Sequence, residues 1–453
     1  MSRWPAWPPA RPLSTGKRAR WRRSPPPAWT SRIGWPRLSP GQRTDPSSAA
    51  IPRDAPGCRC NVAALDARVT SPLVSAAYDG GVSRAQARID LDAFAHNLSV
   101  LRAAAPHSAQ MAVVKADAYG HGLLPMARAA RGAGAEWLGA ALFDEALELR
   151  AAGDRGPVLT WLAAPEDPWA EVVEAGIDVG VSTPDHLERI AATGHRARLH
   201  LKLDTGLGRA GCPPSHWESF VSRAKSLQDA GQAEIVGLWS HFTVADDPRN
   251  PLNTVQIERF HSGIEQAAAL GVDPEHLHLA NSAATLSLPD AHFTLVRPGI
   301  AMYGVSPGVS MGTPQELGLR PVMTLIGRLT TVKRLPAGSG LSYGHQYTLP
   351  AEATVGVVPL GYADGIPRNA TNVGPVFAAG RRRTIAGRVC MDQFMLDLGD
   401  DAAVEGDDVV LFGDGQGGVP LAEDWAQATG TIGYEIVTRL GPRVPRVYVG
   451  GGS

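Results

Sequence analysis

The chain has little cysteine, few aromatics, no charge imbalance and no long apolar run, and each lack closes off a class of function. Four cysteines in 453 residues (Cys58, Cys60, Cys212 and Cys390) are too few to staple a scaffold. None stands at zinc-ligand spacing, so no metal site is expected, and Cys58-Arg59-Cys60 is too short for a CxxC redox pair. That usage suits a reducing compartment, and a cytoplasmic location is expected. No segment approaches the run of about 18 apolar residues that would suggest a membrane span. The basic N-terminus lacks the apolar core of a secretory signal. A formal net charge of −1 gives no overall attraction to nucleic acid or to an anionic membrane surface, and neither is expected as a partner. With 44% hydrophobic and 19% charged residues, the composition is that of a globular protein long enough for two or three domains.

The near-zero sum hides an asymmetry. Residues 1–80 carry thirteen Lys/Arg against four Asp/Glu, so the remainder is net acidic. Pro8-Pro9, Pro25-Pro26-Pro27, the serines and the scattered tryptophans show neither helical nor strand period. Too little apolar surface recurs on one face to offset the entropy of ordering. Residues 1–83 are therefore expected to be a disordered, basic, proline-rich extension or the product of a mis-assigned start. No methionine occurs between Met1 and Met111, and Val82 is a plausible alternative start.

Order is expected from Arg84. Ala87–Leu91 alternates as a strand does, and Asp92 is placed to cap a helix carrying Phe94, Leu98 and Leu101. Strand-like segments then alternate with helical ones: Met111–Ala116, Trp137–Leu142, Pro157–Leu162, Asp178–Ser182, Arg198–Asp204, Glu234–His241, His276–Asn281 and Leu295–Ile300. Eight β–α alternations point to a TIM-like (β/α)8 barrel over residues 84–316. A doubly wound open sheet is the competitor, but no GxGxxG opens the first helix. Beyond about Glu316 the pattern becomes β-rich, in Met323–Arg334, Thr354–Tyr362, Thr384–Asp397 and Val409–Gly413, with Ala422–Thr429 as the one helix. Residues 317–453 read as a second, mainly β domain.

The stretch Ala112-Val113-Val114-Lys115-Ala116-Asp117-Ala118-Tyr119-Gly120-His121-Gly122 carries the chemistry. A buried strand runs into a lysine at its C-terminal end, where barrel enzymes keep their catalytic groups. A strand-end lysine can simply reach solvent. One desolvated beside other groups can instead lose its proton near neutral pH and attack a carbonyl, as a Schiff base with an aldehyde cofactor requires. Tyr119 could place a hydroxyl near the same point. Further along, Lys202-Leu203-Asp204-Thr205-Gly206-Leu207-Gly208-Arg209 ends a strand in a glycine-flanked turn that delivers an arginine. Asn281-Ser282 stands at a strand-to-helix junction, where a hydroxyl and backbone N–H can bind an anion or merely cap a helix.

These strings resemble those of the alanine racemases, from about Arg84 to the C-terminus. The resemblance implies a pyridoxal 5′-phosphate enzyme that interconverts L-alanine and D-alanine by two bases, Lys115 and Tyr343, and supplies D-alanine for peptidoglycan. It implies that Arg209 bonds the cofactor's phenolic oxygen and helps hold the substrate carboxylate, with Leu207 where the family has methionine. Lys202 matches a carbamylated lysine. His241 would pack against the cofactor ring, and Asn281 and Ser282 would bind the cofactor with the Gly299 and Ile300 amides and Tyr434, a phosphate ligand and gate. Arg297 in Val296-Arg297-Pro298-Gly299 resembles the arginine that bonds the pyridine nitrogen. Arginine keeps its proton, so the ring stays a weak electron sink, which suits racemisation over transamination. Met391, in Arg388-Val389-Cys390-Met391-Asp392, would bind the substrate carboxylate through its backbone. Tyr362, Asp246, Arg368, Arg388 and Ile432 match positions near the substrate or its entrance. Tyr343 and Met391 would act in the partner subunit's site, making a homodimer obligatory. A serine or broad-specificity racemase and a basic amino-acid decarboxylase are alternatives on the same scaffold. A non-catalytic pyridoxal-phosphate-binding protein is the alternative from another class.

Overall fold

The computed structural model describes residues 83–451. The expectation for the basic N-terminal extension, with Cys58 and Cys60, lies outside the described residues. Strand β1 (Ala85–Asp90) leads into a helix over Leu91–Ala104. Asp90 caps that helix, its carboxylate accepting the Ala93 N–H at 2.8 Å. The cap is two residues earlier than the sequence suggested. Asp92 lies in the first turn and accepts the Gly451 N–H at 3.0 Å.

Eight parallel strands follow, each overlapping one of the expected segments: β2 (Ala109–Val113), β3 (Trp137–Leu142), β4 (Val158–Leu162), β5 (Asp178–Val181), β6 (Ala197–Lys202), β7 (Ala233–Trp239), β8 (His276–His278) and β9 (Leu295–Val296). Their order in the sheet is β8-β7-β6-β5-β4-β3-β2-β9. The two ends meet, Thr294 N–H donating to Leu277 O at 3.1 Å and Arg297 N–H to Ala280 O at 2.9 Å. The sheet is thus a nearly closed barrel, which excludes the open doubly wound sheet. Its lower interior is filled by Met111, Trp137, Leu159 and Leu295. The upper interior is polar and holds Lys202, His278 and Arg297, all buried.

The second domain is β-rich, as expected, with three local differences. Met323–Arg334 is not one strand. Met323–Arg328 joins a six-stranded sheet and Thr331–Leu335 a three-stranded one, the chain turning a corner between them. A second helix, Gly433–Thr438, accompanies Ala422–Thr429. Only three residues separate the two helices, and the six residues of the second are too few for a helical period to show in sequence. Thirdly, β1 is not a barrel strand. It lies in the six-stranded sheet, antiparallel to Met323–Arg328 and parallel to Arg446–Val449. The first and last described strands are therefore neighbours, a pairing of such sequence separation that no local pattern reveals it.

Asn97, fully buried on the first helix, joins the barrel to the second domain. Its amide donates to Met302 O at 3.0 Å and Arg320 O at 2.7 Å, and its carbonyl accepts Arg320 N–H at 2.8 Å. An Asn97→Ala change would leave three backbone groups without this partner, the Met302 carbonyl fully buried and the two of Arg320 partly so, a buried one costing about 1–3 kcal/mol. Urea unfolding of that variant should show a loss of roughly 2–4 kcal/mol; a loss below about 1 kcal/mol would mean that water replaces the amide.

Candidate active site

Lys115 follows β2 directly, and the chain beyond it takes an uncommon path. Ala116, Asp117, Ala118 and Tyr119 all have φ between 51° and 54°, one turn of left-handed helix built from residues with a Cβ. Such a conformation costs roughly 1–2 kcal/mol per residue. The turn persists because it is held from outside. Glu145 Oε1 accepts the Ala116 N–H at 2.6 Å, while Oε2 accepts those of Ala141 and Leu142 at 2.9 and 3.0 Å. Asp117 Oδ1 accepts the Leu123 N–H at 2.8 Å. Glu145 was not among the sequence candidates, though an acid three residues into a helix after a strand is a recognisable capping position.

Four cations converge at this end of the barrel. Burial, then the Arg209 guanidinium and, more weakly, that of Arg297, lower the Lys115 ammonium's hold on its proton. Burial, Arg297 and Arg209 pull Lys202 down to about 7. Lys202 is 5% exposed, with its Nζ 4.2 Å from the centre of the Trp239 ring. Burial draws Arg297 down to about 9, still cationic at neutral pH. Arg209 stands exposed beyond β6. None of the four makes an ion pair among the described residues. The carboxylates that attract them, Glu145 and Asp204, are taken up by backbone N–H groups; Asp204 accepts those of Gly206 and Gly208. Cationic side chains with no bound counter-charge make a site for an anion.

Arg297 is fixed from several sides. Its Nη2 donates to Ser240 O at 2.8 Å and lies 3.4 Å from His241 Nδ1, and its Nη1 lies 3.0 Å from His278 Nδ1. Nε makes no hydrogen bond within the described residues. His241 is held well below its usual protonation range by burial and by Arg297. Gln256, buried on the helix Leu252–Ala269, donates to Thr205 Oγ1 at 3.0 Å and His241 O at 3.1 Å, linking the Arg209 turn to His241. No local signal in the sequence marks it.

Across the barrel mouth, Ser282 Oγ accepts the N–H groups of Gly299 at 2.8 Å and Ala301 at 3.3 Å. The Ile300 N–H opens a 3-10 turn, where such a group has no partner inside the helix. A Cβ on Gly299 would come within 2.3 Å of the Tyr119 hydroxyl, so glycine is what lets that hydroxyl reach the cradle. Tyr119 lies against Tyr303 at 4.9 Å and Tyr434 at 6.4 Å, and burial raises its phenol. Tyr434 donates to Pro307 O at 3.3 Å. Asn281 Oδ1 accepts the Ala284 N–H at 3.0 Å as a helix cap, so its side-chain oxygen is engaged.

Within one chain the second domain brings Tyr434 to this cluster but neither Tyr343 nor Met391. Tyr343 is 70% exposed and Met391 53%, and no hydrogen bond or ring contact joins Tyr343 to Lys115, His241 or Arg297. Asp364 is buried beneath, accepting the Gly361 N–H and ion-paired to Arg84 and Arg443, a structural role. Cys390 lies 3.3 Å from Ser342 Oγ as packed structure. Leu142, Leu162 and Ile432 are also exposed, two of them at the tops of β3 and β4.

The donors fit pyridoxal phosphate: an amine for its aldehyde, N–H and O–H groups for its phosphate, cations for its phenolate and a substrate carboxylate, and the free Nε of Arg297 for its ring nitrogen. No group of three His, Cys, Asp or Glu that could hold a metal occurs among the described residues. No described helix is long and apolar enough to cross a membrane.

Two family models match the chain: "Alanine racemase, N-terminal domain" over residues 89–307 and "Alanine racemase, C-terminal domain" over residues 322–448. An alanine racemase of Streptomyces coelicolor is 56% identical over 377 residues, spanning 81% of this chain and 96% of that protein. The crystal structure of alanine racemase from D-cycloserine-producing Streptomyces lavendulae superposes with a TM-score of 0.80 at 54% identity, covering 82% of this chain and 98% of that one. The alanine racemase of Bacillus anthracis with bound L-Ala-P gives a TM-score of 0.75 at 33% identity over 82% and 96%.

Lys202 supplies a test of the buried charge. Its folded-state pKa of about 7 lies below the value of about 10.4 in an unfolded chain. Between those values the unfolded state binds more protons, so stability should rise as pH increases from about 7 to 10. In cofactor-free protein prepared without carbon dioxide, Lys202→Met should gain most over wild type below pH 7, the gain shrinking by pH 10. Parallel stability curves would place the lysine head in solvent.

Proposed function

The chain belongs to the alanine racemase family, and from that premise we propose that it interconverts L-alanine and D-alanine with pyridoxal phosphate held on Lys115. The observation that carries this reading is the set of Lys115, Lys202, Arg209 and Arg297, without an ion pair among the described residues, beside the Ser282–Gly299–Ile300 cradle. When bound, the cofactor acidifies the Cα proton of an amino acid by drawing its electrons toward the imine.

The chain's own residues do the rest. Burial and neighbouring guanidinium groups weaken the Lys115 ammonium's hold on its proton, which suits it to serve first as nucleophile and then as the base on one face. Arg297 donates a hydrogen bond without giving up its proton, which limits charge delocalisation and favours return of the proton to Cα. Arg209, with the Met391 backbone, orients the substrate carboxylate. The second base must stand on the opposite face. A phenol is protonated at neutral pH, so Tyr343 of the partner subunit needs the positive field of Arg297, passed through His241, to accept a proton. The exposure of Tyr343 and Met391 in a single chain supports a homodimer in which each second domain completes the other subunit's site. Lys202, half-neutral near pH 7 and without an ion pair among the described residues, is suited to react with carbon dioxide, giving a carbamate that would orient Arg209. We place the enzyme in the cytoplasm, supplying D-alanine for peptidoglycan. Relatives give no support to a decarboxylase, a broad-specificity racemase or a non-catalytic role.

Lys115→Ala should abolish the visible absorbance of lysine-bound cofactor together with racemisation of L-alanine; an intact band would remove Lys115 from its role. Tyr343→Ala should keep the band and lose about 10²–10⁴-fold in kcat. Mixing the two inactive variants should restore about a quarter of wild-type activity, because half the dimers are mixed and each has one intact site. No recovery after subunit exchange would mean that both bases come from one chain.

A further inference from the structure

We propose that Asp178, His200 and His278 are positioning residues, a one-way hydrogen-bond chain through the barrel interior that fixes the orientation of Arg297. This rests on the reading of Arg297 as the partner of the cofactor's ring nitrogen. His278 Nδ1 lies 3.0 Å from Arg297 Nη1, His278 Nε2 lies 2.8 Å from His200 Nδ1, and His200 Nε2 lies 3.2 Å from Asp178 Oδ2. Both rings are fully buried and Asp178 is 2% exposed. The four groups come from β5, β6, the end of β8 and the residue after β9, so the chain crosses from the foot of the barrel to its mouth.

The two ends determine the direction. A guanidinium only donates and a carboxylate only accepts. His278 Nδ1 must therefore carry a lone pair toward Arg297, which puts its proton on Nε2. That proton points at His200 Nδ1, which must accept, so the His200 proton is also on Nε2 and points at Asp178. Protonating either ring fully would set two N–H groups against each other within 3.0 Å in a dry interior. Both histidines are thus neutral and of one tautomer. Burial and the Arg297 charge keep His278 deprotonated, in agreement. Burial would raise the Asp178 carboxyl, but contact with His200 and then Arg198, 2.9 Å away, outweighs it and lowers the carboxyl below its usual range.

The surroundings are shaped for these rings. Gly237 on β7 faces His200, and a Cβ there would lie 2.1 Å from His200 Nδ1, so only glycine leaves the ring in register with His278. His278 stacks on Trp239 with ring centres 5.5 Å apart, and Trp137 meets the His200 ring edge-on at 5.5 Å. The result ties the Arg297 charge to a carboxylate at the far end through two neutral, immobile rings. Arg297 is held in one plane without a carboxylate beside it. An adjacent carboxylate would weaken the field that the site needs for its anions.

The test uses ¹⁵N NMR of histidine-labelled, cofactor-free full-length protein, with His200 and His278 assigned from His200→Asn and His278→Asn. Both should appear as neutral rings protonated at Nε2. A doubly protonated ring, or a proton on Nδ1 of either, overturns the proposal. This measurement needs no turnover, so it stands apart from the racemase reading. In Asp178→Asn the charge at the foot is lost while the shape is kept. We expect kcat for L-alanine to fall roughly tenfold, the size seen when outer hydrogen-bond partners of active groups are removed, with KM within about twofold. Affinity of the cofactor-free variant for pyridoxal phosphate should fall in parallel. Unchanged tautomers, affinity and kcat in that variant would show the chain to be packing alone.

Discussion

Positive charge without an ion pair among the described residues, held in a partly buried cup at the barrel mouth, is the constraint on which the site depends. Two lysines and two arginines face one another there, while the nearby carboxylates Glu145 and Asp204 are engaged with backbone N–H groups. Such an arrangement is costly in the empty protein and is relieved by an anion. It also makes amines reactive, since each cation lowers its neighbour's affinity for a proton. Under the proposed function, binding of a phosphorylated aldehyde and preparation of the lysine that captures it are two results of one field.

The backbone around Lys115 follows from the same demand. An ordinary right-handed turn after β2 would carry Tyr119 elsewhere. Four left-handed residues instead place its hydroxyl at the Gly299 cradle, with Glu145 and Asp117 clamping the strained segment. The strain persists because surrounding hydrogen bonds over-determine it. Glu145 has a double part: it staples the turn and supplies the one nearby negative charge that raises the proton affinity of Lys115.

Arg297 is the counterpart on the other side of the mouth. Its guanidinium is anchored by Ser240 O and His278, so its free Nε faces one way. Interior glycine and stacked rings support that anchor, and an interior this closely packed transmits position with little loss. The single chain, by contrast, leaves Tyr343 and Met391 in solvent. The proposed dimer gives those exposed groups a purpose.

Much of this could be read from residue order. Eight strands overlapped their expected segments because apolar runs and glycine-rich breaks are local features. Lys115, Arg209, Ser282 and Arg297 were legible as candidates because each lies beyond the C-terminal end of a barrel strand, where a barrel gathers its chemistry. Glu145, Gln256, His200 and the pairing of β1 with Arg446–Val449 were not. Their roles depend on partners 15 to more than 300 residues away, and no periodicity encodes such a distance. Nor does an alanine or an aspartate announce a left-handed φ, since surrounding contacts impose it against local preference. The chain's residue order thus determined which groups stand at the strand ends. Only folding decided which of them lost their counter-charges, because that depends on what lies beside each side chain in space.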